Sequence, residues 1–436
     1  MSNLELYIHI PFCVQKCKYC DFLSAPAARQ VQNAYMEALL REIGASAEGI
    51  GIPAVSSPMI PRECPVSSIF IGGGTPSTVE PEWILRLMDT VRKCYRIVPD
   101  AEITMEVNPG TVSRESLAQY RRAGINRLSI GCQSTDDGEL ARIGRIHTFS
   151  EFLDTYGWAR EAGFENVNVD LMNALPGQNL RDVERNLERV LSLEPRPEHI
   201  SAYSLIVEEG TPFFDLWEKG ELDLPDEDLE WEMYWRTAEI LKEYGYKHYE
   251  ISNFAREGYE CRHNCGYWER KDYLGFGTGA ASLWDGVRFS NTGQLEEYLR
   301  IYAQEAKEKG ISCTAAAEAS SSNEGQEAVG GAEAAGVLEG MGAGQGSFEG
   351  MKRQVQYLSR QEQMEETMFL GLRMAKGVGG EDFSRQYGAA LEAVYGEEIL
   401  ENVREGLMEE RDGRYVLTRR GVDVSNYVMA KFLRGE

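Results

Sequence analysis

The amino-acid sequence predicts an α/β fold, an incomplete (β/α)6 barrel followed by a C-terminal extension and a small winged-helix-like domain. Two observations carry this. Six short apolar, β-branched runs alternate with apolar residues at helical spacing between Leu4 and Tyr203. Beyond a low-complexity break, two amphipathic patterns are followed by a hairpin signal.

Taken in order, the strand candidates are Leu4–Ile10, Ser67–Ile71, Glu102–Val107, Arg127–Ile130, Val167–Met172 and His199–Tyr203. Between them lie helical patterns over Tyr35–Ile43, Glu80–Cys94, Arg114–Arg122, Phe149–Ala162 and Arg181–Leu193. Strands separated by helices are parallel, and chemistry collects at their carboxyl ends. The Pro- and Ser-rich stretch 49–68 reads as a surface loop. Residues 1–204 are thus expected to form the partial barrel. Residues 205–312, with a helix over Glu227–Glu243 and an aromatic, Gly-rich run over Tyr244–Trp284, are expected to be an extension that closes it. Residues 313–355 read as a linker: of the 38 residues in 313–350, 18 are Gly or Ala, six are acidic and none is basic. Residues 356–436 hold helical patterns over Gln361–Met374 and Leu391–Met408, then Arg414–Thr418 after an Asp412-Gly413 turn, which makes a winged-helix-like unit.

Charge narrows the partners. With 45 Lys and Arg against 70 Asp and Glu, the net charge is -25 over 436 residues, a field that repels nucleic acid and anionic lipid. The C-terminal unit shows no basic stripe, so a packing role is expected for it rather than DNA binding. No run approaches the roughly 20 apolar residues of a spanning helix. The start of the chain has neither a basic nor an apolar leader, so the cytoplasm is the expected compartment. Nine cysteines in such a chain point to metal or catalytic chemistry before disulfides.

Three of them form the sharpest motif: Cys13, Cys17 and Cys20 in a C-x3-C-x2-C spacing just after the first strand. Structural zinc wants four closed ligands, usually as separated pairs, whereas three thiolates on one loop leave one iron of a cubane cluster uncovered. Spacing and fold together favour a [4Fe-4S] cluster. After the second strand, Gly72-Gly73-Gly74-Thr75-Pro76 lets backbone approach a ligand, or makes a tight β-α turn. Glu106, Gln133 and Asp170 stand at or just past strand ends, where a polar side chain meets a ligand or merely makes a polar rim.

The cysteine loop, the glycine block and the six-unit array resemble the radical S-adenosylmethionine (SAM) superfamily. The resemblance implies that the open iron chelates S-adenosyl-L-methionine. It assigns Tyr7 and Tyr19 to the cofactor pocket, Gly73, Gly74 and Thr75 to the amino group, and Glu106, Gln133 and Asp170 to ribose, carboxylate or adenine. Arg145 is then the carboxylate partner, since its fork binds bidentately. More closely, Tyr-Ile-His-Ile-Pro-Phe-Cys at 7–13, the glycine block and Asp-Leu-Met-Asn-Ala-Leu-Pro-Gly-Gln at 170–178 are similar to the oxygen-independent coproporphyrinogen III oxidase-like family of porphyrin biosynthesis, over nearly the whole chain except the linker. That family holds both oxidases and heme chaperones.

Three features point to the chaperone branch. Phe22 stands where the oxidases continue with a fourth cysteine, only six residues precede Tyr7 where the oxidases carry a substantial segment, and His263-Asn-Cys-Gly-Tyr-Trp268 matches the chaperone's H-N-x-x-Y-W heme motif. By itself His263 reads as a satisfied histidine beside core aromatics; with the resemblance it becomes the expected heme ligand, with Tyr267 and Trp268 offering faces to the macrocycle. Cys261 and Cys265 are further candidate ligands. His9 is expected to be structural, while His147, His199 and His248 carry no readable role, and Cys64, Cys94, Cys132 and Cys313 are isolated. The resemblance implies a chaperone without oxidase activity that delivers heme to an apo-hemoprotein, draws electrons from a donor such as a flavodoxin or ferredoxin, and admits a homodimer. The alternative is the decarboxylation of coproporphyrinogen III.

Overall fold

The computed structural model describes residues 3–53, 61–302 and 353–434. Six parallel strands, β1 (Leu4–Ile10), β2 (Pro65–Gly73), β3 (Arg96–Val107), β4 (Arg127–Gln133), β5 (Asn166–Asn173) and β6 (His199–Ser204), follow one another across a single sheet. Their crossovers carry helices α1 (Arg29–Ala47), α2 (Pro81–Cys94), α3 (Arg114–Arg122), α4 (Asp137–Arg142), α5 (Phe149–Glu161) and α6 (Leu180–Leu191). Each expected strand is present, and β2 and β3 begin earlier than the apolar runs did. Pro65 and Arg96 already pair with each other, so the expected loop 49–68 loses its last residues to β2.

Alternation along the strands separates two environments. On β1, Leu4, Leu6, Ile8 and Ile10 are fully buried in the apolar core shared with the helices. Glu5, Tyr7 and His9 point the other way, into the barrel, where Tyr7 meets the rings of Phe70 and His263. Polar side chains from four strands meet in the lumen: Glu106 of β3, Arg127 and Ser129 of β4, Asn168 and Asp170 of β5, and Ser201 and Tyr203 of β6 line one cavity of about 560 Å³, with Phe70 and Met172 among them. Barrels of this kind are commonly filled by branched apolar layers. Here many of the inward residues are polar, and a chamber remains.

The extension widens the sheet at both edges instead of closing the barrel by strand pairing among the described residues. After α7 (Pro212–Glu218) and α8 (Glu227–Glu243), β7 (Lys247–Glu250) and β8 (Asn253–Ala255) add antiparallel beside β6. Helix α9 (Arg262–Trp268) then crosses to the far side, where β9 (Tyr273–Phe276) pairs parallel with β1, followed by β10 (Ala281–Trp284) and β11 (Val287–Ser290). Buried Glu42 of α1 holds this edge. It accepts from Gly277 N (2.8 Å), Asn291 Nδ2 (2.7 Å) and the Tyr298 hydroxyl (2.6 Å) of α10 (Leu295–Tyr302).

The expected linker lies outside the described residues except for its last three, which belong to β12 (Arg353–Tyr357), paired antiparallel with β11. Helix α11 (Arg360–Gly371) opens the C-terminal unit, whose own core includes Met368, Phe383, Leu391, Tyr395 and Phe432. A three-stranded antiparallel sheet contains the hairpin Met408–Arg411 with Arg414–Leu417, closed at Asp412-Gly413. This unit packs on the barrel extension. Glu366 of α11, 5% exposed, lies 2.7 Å from Arg270 and 2.5 Å from Arg288. No described helix is long and apolar enough to cross a membrane.

Candidate functional site

The loop after β1 is held from several sides. Cys13 N donates to Ala25 O, Ala25 N to Pro11 O, Lys18 N to Ile143 O after α4, and Phe213 N of α7 to Lys18 O. His9 fixes its far end: the Tyr7 hydroxyl lies 2.9 Å from Nδ1 and the Leu23 carbonyl 2.9 Å from Nε2. A carbonyl only accepts, so Nε2 carries the proton and Nδ1 accepts from Tyr7. Burial lowers the pKa of His9 and keeps the ring neutral. The structural role expected for His9 is therefore to clamp the cysteine loop.

The glycine turn presses against that loop. A Cβ on Gly74 would stand 2.7 Å from the Phe12 carbonyl and 3.0 Å from the Cys13 sulfur, and Gly73 has φ 119°, where a side chain is strained. Thr75 N donates to Phe12 O at 2.7 Å, and Thr75 Oγ1 to Cys13 Sγ at 3.6 Å. From Thr75 a chain of polar contacts crosses the mouth. Asn108 Nδ2 donates to Thr75 Oγ1 (2.7 Å), Arg145 Nη1 to Asn108 Oδ1 (2.9 Å), and Arg145 Nη2 to the Tyr19 hydroxyl (3.0 Å). Asn108 was not singled out from the sequence, although it follows Glu106 by two residues in the same strand-end segment. Tyr203, also missed, donates to Gln133 Oε1 at 2.9 Å.

The electrostatics suit a cationic guest. Burial pushes the Glu106 carboxyl up to about 8, aided by Asp170, while the Gly73 N–H and Arg127 pull it back. Burial also raises Asp170, against hydrogen bonds from Asn168 and Ser129. For Arg145, burial opposes the charge, and neighbouring Tyr19 and Cys17 outweigh it, so the guanidinium stays charged. Burial first raises the Cys17 and Cys20 thiols, and neighbouring thiols add to it, Cys13 for Cys17, and Cys17 with Cys13 for Cys20. All three cysteines are free and half-buried on one cavity wall. Thiolates crowded in this way fit a group that brings positive charge, as the irons of a cluster do. Among the described residues, no three His, Cys, Asp or Glu side chains converge on a single-ion site.

The cavity gathers Cys13, Cys17, Tyr19, Cys20, Gly73, Gly74, Thr75, Glu106, Gln133, Arg145 and Asp170. Tyr7 stands behind its wall, bonded to His9. His263, Tyr267 and Trp268 are elsewhere: α9 plugs the amino-terminal end of the barrel, away from the cysteines. Glu102 of β3 accepts from the backbone N–H groups of Arg262 (3.1 Å) and His263 (3.2 Å), and Gly266 leaves no room for a Cβ beside Glu5. The His263 ring is 1% exposed, with Nδ1 at 2.9 Å from Ser68 Oγ and Nε2 at 3.0 Å from the Tyr267 hydroxyl. Burial, then Arg127, lowers its pKa to about 3. An iron ligated there would have to displace one of these hydrogen bonds. The Trp268 ring is covered by the Arg373 guanidinium at 4.5 Å. Of this motif only Asn264 borders the cavity, from below.

A family model of the radical SAM superfamily matches residues 7–190, and one of the HemN C-terminal domain matches residues 358–424. The heme chaperone HemW of Bacillus subtilis (strain 168) is 35% identical over 428 residues, covering 98% of both chains. That of Lactococcus lactis is 33% identical over 427 residues, covering 98% of this chain and 96% of the relative. Among solved structures, coproporphyrinogen III oxidase (HemN) from Escherichia coli, a radical SAM enzyme, superposes with a TM-score of 0.74 at 22% identity, over 99% of this chain and 90% of that one. That likeness is one of fold.

Proposed function

Because the chain belongs to the radical SAM superfamily, in its heme chaperone HemW branch, we propose that it binds heme and hands it to an apo-hemoprotein. The observation that carries this reading is the end-to-end likeness to the chaperone relatives. Cys13, Cys17 and Cys20 would hold a [4Fe-4S] cluster, which when bound can pass an electron to S-adenosyl-L-methionine.

The chain's own residues do the positioning. Glu106, expected at ribose, carboxylate or adenine, instead joins the glycine turn in facing the ligand's ammonium, because Gly73 N bonds its carboxyl at 3.1 Å. Arg145, aligned by Asn108 and Tyr19, takes the carboxylate through the N–H groups those two leave over, including an Nε with no partner among the described residues. Gln133 and Asp170 stand on the next two strands, β4 and β5, for ribose and adenine. The chamber below admits the cation, and the clamped cysteine loop forms one wall of it. In this reading the protein is cytoplasmic and is reduced by a flavodoxin or ferredoxin. A homodimer is the assembly to look for by light scattering.

One sample decides between chaperone and oxidase. Protein reconstituted anaerobically with iron and sulfide is expected to give a Soret band on titration with heme and to leave coproporphyrinogen III unchanged. Formation of protoporphyrinogen IX, with no heme bound, would overturn the reading.

A further inference from the structure

Four large apolar side chains ring the mouth of the cavity, and the fold has no use for them there. Val14 is 57% exposed, Phe22 64%, Ile146 51% and Ile206 68%, and all four border the cavity. None joins the apolar cores of the described residues. They come from three separate segments, the cysteine loop, the loop before α5 and the loop after β6, so one floppy loop does not account for them. Singly exposed apolar residues are ordinary, whereas several gathered around one opening mark a surface that is covered in use.

What covers it follows from shape and charge. The rim is apolar and surrounds an opening, which suits a flat, rigid apolar disc better than a peptide. The lumen beneath sets Glu106 and Asp170 against Arg127 and Arg145 and offers no net charge to draw anionic arms inward, so carboxylate arms on such a disc keep their hydration on the solvent side. We propose that the heme macrocycle lies across the barrel mouth on Val14, Phe22, Ile146 and Ile206, with its propionates toward solvent. This rests on the heme chaperone reading above. It places the heme over the S-adenosyl-L-methionine pocket, at the opposite end of the barrel from His263.

Two measurements on cluster-loaded protein test it. In heme titrations, Ile206→Asp and Phe22→Asp should each weaken binding about tenfold, and the double variant about a hundredfold, with Ile206→Leu like the parent. Ile206→Asp should keep its iron content and its affinity for S-adenosyl-L-methionine. Independently of any variant, bound heme should slow the release of radiolabelled S-adenosyl-L-methionine, because a disc over the mouth blocks its exit. If the parent binds heme while the Asp variants bind it equally well, or release is unaffected by heme, the rim is not the seat. Should Phe22→Asp lose iron, Ile206→Asp and the release rate decide alone. A parent that binds no heme at all would instead overturn the chaperone reading.

Discussion

Glu106 offers a quantitative test of the cofactor pocket. Its carboxyl, raised to about 8 by burial and by Asp170, holds a proton at neutral pH that the unfolded chain would have lost near 4.5. The folded state therefore binds more protons between those two values. Its stability is full below the lower one and falls as pH rises toward the higher one. The difference between 4.5 and about 8 corresponds to about 5 kcal/mol, a ceiling because the carboxyl borders an open cavity. Glu106→Gln carries no such proton. Its unfolding free energy in urea should fall less steeply between about pH 6 and about pH 8.5 than the parent's, by up to about 1.4 kcal/mol per pH unit. Glu5, also raised to about 8 by burial, sets a parallel slope that the variant keeps. The same proton reports on the ligand. At about pH 7 the carboxyl is about 90% protonated, so a cation docking on it should expel close to one proton. Calorimetry of S-adenosyl-L-methionine binding in buffers of different ionisation enthalpy reads that number. Equal proton release from parent and Glu106→Gln would refute the assignment.

Other expectations follow from single contacts. Cys17→Ala should lose most cluster iron, measured by iron and sulfide content after anaerobic reconstitution. Asn108→Ala removes the link between Thr75 and Arg145 and should weaken S-adenosyl-L-methionine binding about tenfold, the worth of one charge-assisted hydrogen bond, by equilibrium dialysis. His263→Ala removes the ring partner of the Tyr267 hydroxyl and one partner of Ser68, leaves a cavity, and should cost about 2–4 kcal/mol in urea unfolding. With heme seated on the rim, its Soret band should match the parent's. Glu366→Ala strands Arg270 as a buried cation and should cost about 3–5 kcal/mol, exposing the C-terminal unit to limited proteolysis.

The strands of the barrel were legible because their outward residues are apolar and β-branched, so that β1 could be placed to the residue. The cysteine loop was legible because its thiols are adjacent in sequence. What escaped depended on register. Asn108 and Tyr203 matter through distant partners, Arg145 in the loop after α4, 37 residues away, and Gln133 on β4, 70 residues away, and no local pattern marks such pairs. The motif beginning at His263 was readable as residue types, but its location was not. Only the path of α9 beneath the barrel, capped by Glu102, reveals a ring with both nitrogens engaged. The extension was expected to close the barrel from a helix and an aromatic, Gly-rich run; its short strands carried no such signal, and among the described residues β9 pairs with β1 and β8 with β6, on the two edges of the six-strand array.

Odd and even positions of the same strands belong to different selective regimes. On β1, a change at Leu6 or Ile8 is felt by the helices and by the folding of the whole barrel, whereas one at Glu5 or Tyr7 is felt mainly by what occupies the lumen. A lineage can therefore rewrite the inward set, residue by residue, without repacking the shell that keeps the protein folded. Divergence in ligand across such barrels should accumulate in a two-residue beat, with the outward positions drifting only among apolar types of similar volume.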